Sequence, residues 1–209
     1  VLELCKTRLP DNMHIPAEQI QVLTPTRKGP CGTVNLNRLL QEALNPKAPG
    51  KREILWGERV FRVGDRIMQT RNDYDVVWQK ADGTVGTGMF NGDVGRIVEI
   101  DQSGEWLALD FDGRTAPYST EMLSEIDLAY AQTVHKAQGS EYRCVVLATM
   151  PSAPSLMVRG VLYTALTRAR KLLVMVGDDA AVRSMAANDK QQKRYSGLKW
   201  RLCHAGENG

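Results

Sequence analysis

The apolar positions of this chain change period along its length, and each change marks an element. Leu2 to Leu9 reads as the tail of a helix that Pro10 stops, and Ile20 to Leu23 as a buried strand ending at Thr24 and Pro25. Past the loop TPTRKGPCGT, residues Leu36, Leu39, Leu40, Ala43 and Leu44 recur at i, i+3, i+4, i+7 and i+8, which predicts a helix that Thr33 caps and Asn45 and Pro46 end. The segment NPKAPGKR is a connector. From Arg59 to Asp127 the pattern becomes short β-type runs separated by turns, with Asn91-Gly92 and Asp112-Gly113 as turn dipeptides. About five short strands packed so closely predict a small SH3-like β-barrel with its own core, inserted into an α/β domain. The stretch LAYAQTVHKAQGSEYRCV then reads as strand, one helical turn and strand. In VLYTALTRARK, Leu162, Ala165, Leu166 and Ala169 keep helical spacing, placing Arg168 and Arg170 at one helix end before a strand at Leu172–Val176 and a helix at Val182–Ala187. Polar groups thus collect at strand ends, where open α/β sheets bind ligands.

Composition narrows the picture modestly. The chain has 209 residues, 43% of them hydrophobic, enough for a packed core in one or two domains. A net charge of +3 permits a nucleic-acid partner without requiring one. Arg183 to Arg201 concentrates basic residues, whereas Arg96 to Asp127 is acidic. Cys5, Cys31, Cys144 and Cys203 form no C-x-x-C pair, so neither disulfides nor zinc are expected and a reducing cytoplasmic setting fits. No apolar run approaches the roughly 20 residues of a membrane helix. Val1 opens the chain in mid-pattern without a methionine, which reads as a piece of a longer protein.

The chemistry lies in three strings. VLTPTRKGPCGTVNLNRLLQ joins a strand to a helix start through a basic, Gly-rich loop, which can offer backbone N–H groups and a helix dipole to an anion; its plainer reading is a turn with solvated Arg27 and Lys28. TVHKAQGSE and YTALTRARK follow in that order. Together the three resemble motifs IV, V and VI of RecD-like superfamily 1 DNA helicases. That resemblance implies the second RecA-like motor domain, split into residues 1–55 and 128–209 around a barrel at 56–127. It further implies an ATP-dependent helicase moving 5′ to 3′ on single-stranded DNA, with cytoplasmic location and partners that include the protein's own N-terminal motor domain. On the matching positions, Arg168 is the arginine finger, Arg27, Lys28, Gln138, Gly139 and Glu141 face the nucleotide, and Thr133, His135 and Lys136 face DNA. A surface salt bridge is the plain alternative for Arg168.

Within the barrel, Arg62, Arg66, Arg71, Tyr74 and Trp78 are expected to be exposed candidates for single-stranded DNA, with Arg71 and Tyr74 preferred; Trp78, Phe90 and Trp106 are otherwise read as barrel core. No G-x-x-x-x-G-K-[ST] occurs, and Asp178 and Asp179 read as a helix cap rather than a magnesium site, so ATP and Mg²⁺ would depend on an N-terminal half. No metal ligands are assigned in this chain. The helicase segment of a conjugative relaxase and a non-enzymatic binding module are the other readings.

Overall fold

The computed structural model describes residues 1–189; the string YSGLKWRL and the basic residues from Lys190 to Arg201 lie outside the described residues. In chain order the strands are β1 (Ile20–Thr24), β2 (Glu53–Trp56), β3 (Arg59–Arg62), β4 (Arg66–Gln69), β5 (Asp73–Gln79), β6 (Val85–Met89), β7 (Val94–Ile100), β8 (Trp106–Phe111), β9 (Arg114–Ser119), β10 (Ile126–Leu128), β11 (Ala131–Thr133), β12 (Tyr142–Thr149) and β13 (Ala169–Gly177). The helices are α1 (Leu9–Met13), α2 (Thr33–Leu44), α3 (Arg159–Leu166) and α4 (Asp179–Ala187).

The first sheet is parallel throughout, in the order β11-β1-β12-β13. Its inner strands are continuous apolar runs because both faces are covered. Val22, Cys144, Val146 and Ala148 point to the face that packs with Leu36 and Leu40 of α2. Leu23, Val145 and Leu147 point the other way, against Val161, Leu162 and Ala165 of α3 and Ala181 and Met185 of α4. The period of two along each strand therefore builds two apolar layers, one on either side of the sheet.

Between β1 and β11 the chain makes a hairpin, β2 with β3, and a seven-stranded antiparallel sheet ordered β10-β4-β7-β8-β9-β5-β6. Asp112 (φ 53°) and Gly113 (φ 80°) both take the left-handed conformation, and Phe111 pairs with Arg114 across them, so the expected turn is a two-residue hairpin of the type that matches strand twist. Gly92 (φ 102°) makes the second expected turn, with the Asp93 N–H donating to Phe90 O at 2.9 Å.

Several expectations change. The insertion is a sheet with β10 and β6 at its two ends, and no pairing among the described residues closes it into a barrel. Strand β2 crosses the expected border at residue 55. Its core is also shared: one apolar cluster runs from Ile20, Val22 and Val146 through Tyr130 to Phe61, Ile67, Leu109 and Tyr118. Pro10 does not stop the first helix. A π-helical turn at Leu4–Arg8, after which the Leu9 N–H donates to Leu4 O, passes straight into α1, so Pro10 lies within one helical run. The residue capping α2 is Gly32, with Thr33 already helical. Finally, α3 ends at Leu166 and β13 starts at Ala169, so Arg168 lies in the turn between them and Arg170 on the strand, not on the helix.

Candidate nucleotide and nucleic-acid site

Strands β1 and β11 end side by side, with Thr24 in register with Thr133. The Val134 N–H donates to Thr24 O at 3.0 Å, which holds the following turn over the end of β1. Thr133 shapes that turn. Its Oγ1 accepts the Lys136 N–H at 3.3 Å and its carbonyl the Ala137 N–H at 3.1 Å, leaving the hydroxyl proton free to donate. Val134 and Ala137 are buried, so His135 and Lys136 stand outward. Desolvation pulls the Lys136 ammonium below its ordinary pKa; the Arg27 charge pushes the same way and Asp127 opposes both. Arg27 and Lys136 therefore feel each other across the two loops.

The Arg27 loop does not form the expected anion nest. The Thr33 and Val34 N–H groups, which open α2, donate to Thr26 O at 3.1 Å and Arg27 O at 3.2 Å. Gly32 allows this closure, because a Cβ there would stand 2.5 Å from the carbonyl oxygens of Arg27 and Lys28. What the loop offers a ligand is its exposed side chains, Arg27 and Lys28.

A second group forms at the opposite strand ends, where Tyr142 of β12 is in register with Ala169 of β13. Gly139 (φ 86°) turns the chain, and Ser140 O accepts from Arg168 Nη1 at 3.0 Å. Arg168 Nε donates to Thr164 O at 3.1 Å and Nη2 to Thr167 Oγ1 at 3.2 Å, so the half-buried guanidinium ties the end of α3 to the 139–140 turn. Next to it, Arg170 Nε donates to Glu141 Oε2 at 2.7 Å. The structure thus gathers Gly139, Glu141 and Arg168 with their neighbour Ser140, and gathers Thr133 and Lys136 with Arg27. Between the groups lies a wide cavity of about 990 Å³, lined by Val134, His135, Gln138, Arg159, Tyr163 and Thr164 among others.

Arg71 and Tyr74 sit apart from both groups, on the insertion, and both are exposed. Tyr74 meets Phe90 edge to face at 5.8 Å between ring centroids. Phe90 (43% exposed) and Trp106 (41% exposed) overturn the reading that placed them in the core; Phe90 follows the last residue of β6 and Trp106 opens β8, so neither points into the sheet's inner face. Trp78 is half-buried, with its indole N–H buried and unpartnered among the described residues. Arg62 is not exposed at all. It is 6% exposed, with Nη2 on Glu42 at 2.7 Å and Nε on Glu53 at 3.1 Å. Arg66 is half-buried and donates to Ile20 O at 3.2 Å, which makes it a strut between the insertion and β1. Asp178 accepts the Ala180 N–H at 2.8 Å and caps α4, in line with the cap reading.

Comparison with known proteins identifies this arrangement. Residues 36–111 match the ATP-dependent RecD-like DNA helicase SH3 domain, and residues 128–176 match the UvrD-like helicase C-terminal domain. The chain belongs to the RecD-like helicases. It is 37% identical over 185 residues to the ATP-dependent RecD2 DNA helicase of Deinococcus radiodurans, a match covering 88% of this chain and 24% of that protein. It is 32% identical over 189 residues to the RecBCD enzyme subunit RecD of Mycolicibacterium smegmatis, covering 90% and 30% respectively. The RecD-like chain described here therefore spans a quarter to a third of the length of these relatives. Its fold resembles that of the Bacteroides Pif1 helicase solved with ADP-AlF3 and single-stranded DNA, at a TM-score of 0.53 and 16% identity, covering 99% of this chain and 49% of that one.

Proposed function

We propose that this chain is the second motor region of an ATP-dependent helicase that couples ATP hydrolysis to 5′–3′ translocation on single-stranded DNA and to duplex unwinding. The observation that carries the reading is the pairing of Arg168 with the 139–141 turn, where its guanidinium donates to Ser140 O. In this reading Arg168 stabilises charge developing on the transferred phosphoryl group, and Gln138, Gly139 and Glu141 contact the nucleotide. Arg27 and Lys28 contribute positive charge toward its phosphates. Thr133, His135 and Lys136 hold the DNA backbone, with the free Thr133 proton and the Lys136 ammonium as donors to phosphate oxygens. Arg71 and Tyr74, the latter backed by Phe90, take phosphate and base contacts on the insertion.

The donor set here is cationic and amide-rich, which suits polyphosphate and not a metal ion; Mg²⁺, which neutralises phosphate charge when bound, would be held by another part of the full-length protein. Residues 1–55 and 128–209 then act as one motor domain, joined to the N-terminal one in the same protein.

The test uses the full-length protein. Arg168→Ala should lower DNA-stimulated ATP hydrolysis by about 10³-fold or more while single-stranded DNA affinity holds. Arg183→Ala is the control, since among the described residues Arg183 makes an exposed pair with Asp179. A rate retained above roughly a tenth in Arg168→Ala would rule out the finger.

A further inference from the structure

Helix α2 carries a polar stripe that the proposed function does not use. Asn37, Gln41 and Asn45 follow one another at intervals of four along one face, and all are buried, at 6%, 3% and 8% exposure. Three buried amides in a row must each find partners. Their partners are the two crossings where the chain leaves and re-enters the parallel sheet.

At the first crossing, Gln41 Nε2 donates to Asp65 Oδ2 at 2.5 Å and to Val60 O at 2.8 Å. Asn45 Nδ2 donates to Asp65 Oδ1 at 2.7 Å and to Val63 O at 3.2 Å. At the second crossing, Asn37 Nδ2 donates to Leu128 O at 2.9 Å and Ala131 O at 3.0 Å, while its Oδ1 accepts the Ala131 N–H at 2.7 Å. Asp65 joins the two. It is fully buried, and besides the two amides it accepts the Arg62 N–H at 2.7 Å and the Tyr130 hydroxyl at 2.9 Å.

We propose that Asp65 is a positioning residue: with Gln41, Asn45 and Tyr130 it locks both crossings of the insertion to α2, so that the insertion moves as one body with the loop bearing Arg27 and Lys28. The geometry argues for specificity over bulk stability. An apolar residue could fill the same space, whereas a carboxylate with four donors accepts one orientation of the surrounding segments. Helix α2 starts from the Arg27 loop and its C-terminal half grips the insertion, so displacement of one end is delivered to the other. This rests on the helicase reading for its consequence, which is that Asp65 sets how much unwinding each ATP yields.

Two measurements on the full-length protein test it. The first needs no activity: the distance distribution between spin labels at Ser103 on the insertion and Ser184 on α4, in a cysteine-replaced background. The distribution should be narrow in the parent and broaden in Asp65→Ala. The second counts base pairs unwound per ATP. It should fall about fivefold or more in Asp65→Ala, with the ATPase kcat and single-stranded DNA affinity held within a factor of about two. Gln41→Ala and Tyr130→Phe each remove a single bond to Asp65 and should shift both readouts the same way by less; they decide the matter if Asp65→Ala does not fold. An unchanged distance distribution in all the folded variants overturns the joint. Broadening with ATPase and unwinding falling in parallel overturns the coupling role. A parent protein that neither hydrolyses ATP nor unwinds DNA sinks the helicase reading instead, and the label distances still judge the joint.

Discussion

Arg62 and Arg168 differ in setting because of partners far along the chain. Arg62 is buried by Glu42, 20 residues before it, and by Glu53, and no local pattern announces such a triad. The string around Arg168 singles it out, but its backbone carbonyl, which accepts the Tyr142 N–H at 2.8 Å, places it in a turn that helical spacing does not reveal. Arg170 was read as a neighbour on the same helix. As a strand residue paired with Glu141 it is coupled to the site, and Arg170→Ala should raise KM for ATP severalfold, a modest effect because the pair is exposed; steady-state kinetics of the full-length protein would show it. Asp65 gives a prediction in pH. Burial raises its carboxyl pKa above the ordinary 3.8, outweighing the four hydrogen bonds that act the other way. An acid raised on folding contributes stability that is complete below its unfolded pKa and is lost as pH rises through the folded value. The stability gap between the parent and Asp65→Asn should therefore narrow from acid toward neutral pH; a gap that widens over that range, in melts taken at stepped pH, would refute the assignment. Burial also pushes the Cys5 thiol up to about 11, so at neutral pH a thiol reagent should modify half-buried Cys31 well before Cys5.

At the scale of elements, the parallel sheet is readable from its inner strands, since β1 and most of β12 are buried and largely apolar. The helix α2 was readable for the opposite reason, its apolar stripe of Leu36, Leu40 and Leu44 standing out against polar neighbours. That same stripe hid the polar one beside it, since Asn37, Gln41 and Asn45 pass for solvent-facing residues until the insertion covers them. The insertion was legible as short strands and turns, but strand order and closure depend on pairings remote in sequence, such as β4 with β10. Nor does alternation say which apolar residues join which core. Tyr130 and Leu40 belong to a cluster that continues into the insertion, so excising residues 58–126 should expose both and strip Gln41 and Asn45 of their bonds to Val60, Val63 and Asp65. The shortened protein is expected to lose its cooperative thermal transition. Retention of a sharp melt by circular dichroism would mean that the parallel sheet and α2 need nothing from the insertion.

For the whole molecule, the division of labour follows from which charges reach the surface. Arg62 and Arg66, counted as DNA candidates in sequence, are spent on internal contacts, while Arg27, Lys28, His135, Lys136 and Arg71 remain exposed. The described surface is thus cationic in discrete places on a chain whose net charge is only +3. A few phosphate contacts of this kind give weak binding that releases few counterions. The chain on its own is therefore expected to bind single-stranded oligonucleotides weakly, without base preference, and with a logarithmic salt slope of about −0.7 for each phosphate contacted, so only a few units in all. Lys136→Ala and Arg27→Ala should each reduce that slope by somewhat under one unit if both touch phosphate. No ATP hydrolysis should accompany binding, because phosphoryl transfer requires a phosphate-cradling lysine and a held Mg²⁺, and the sequence contains no G-x-x-x-x-G-K-[ST] string. Fluorescence anisotropy at several salt concentrations, with phosphate release assayed on the same samples, tests both halves. Affinity that ignores salt would show that the exposed cations are not what holds DNA, and hydrolysis abolished by Arg168→Ala in this chain alone would show that its own residues suffice to cradle the phosphates.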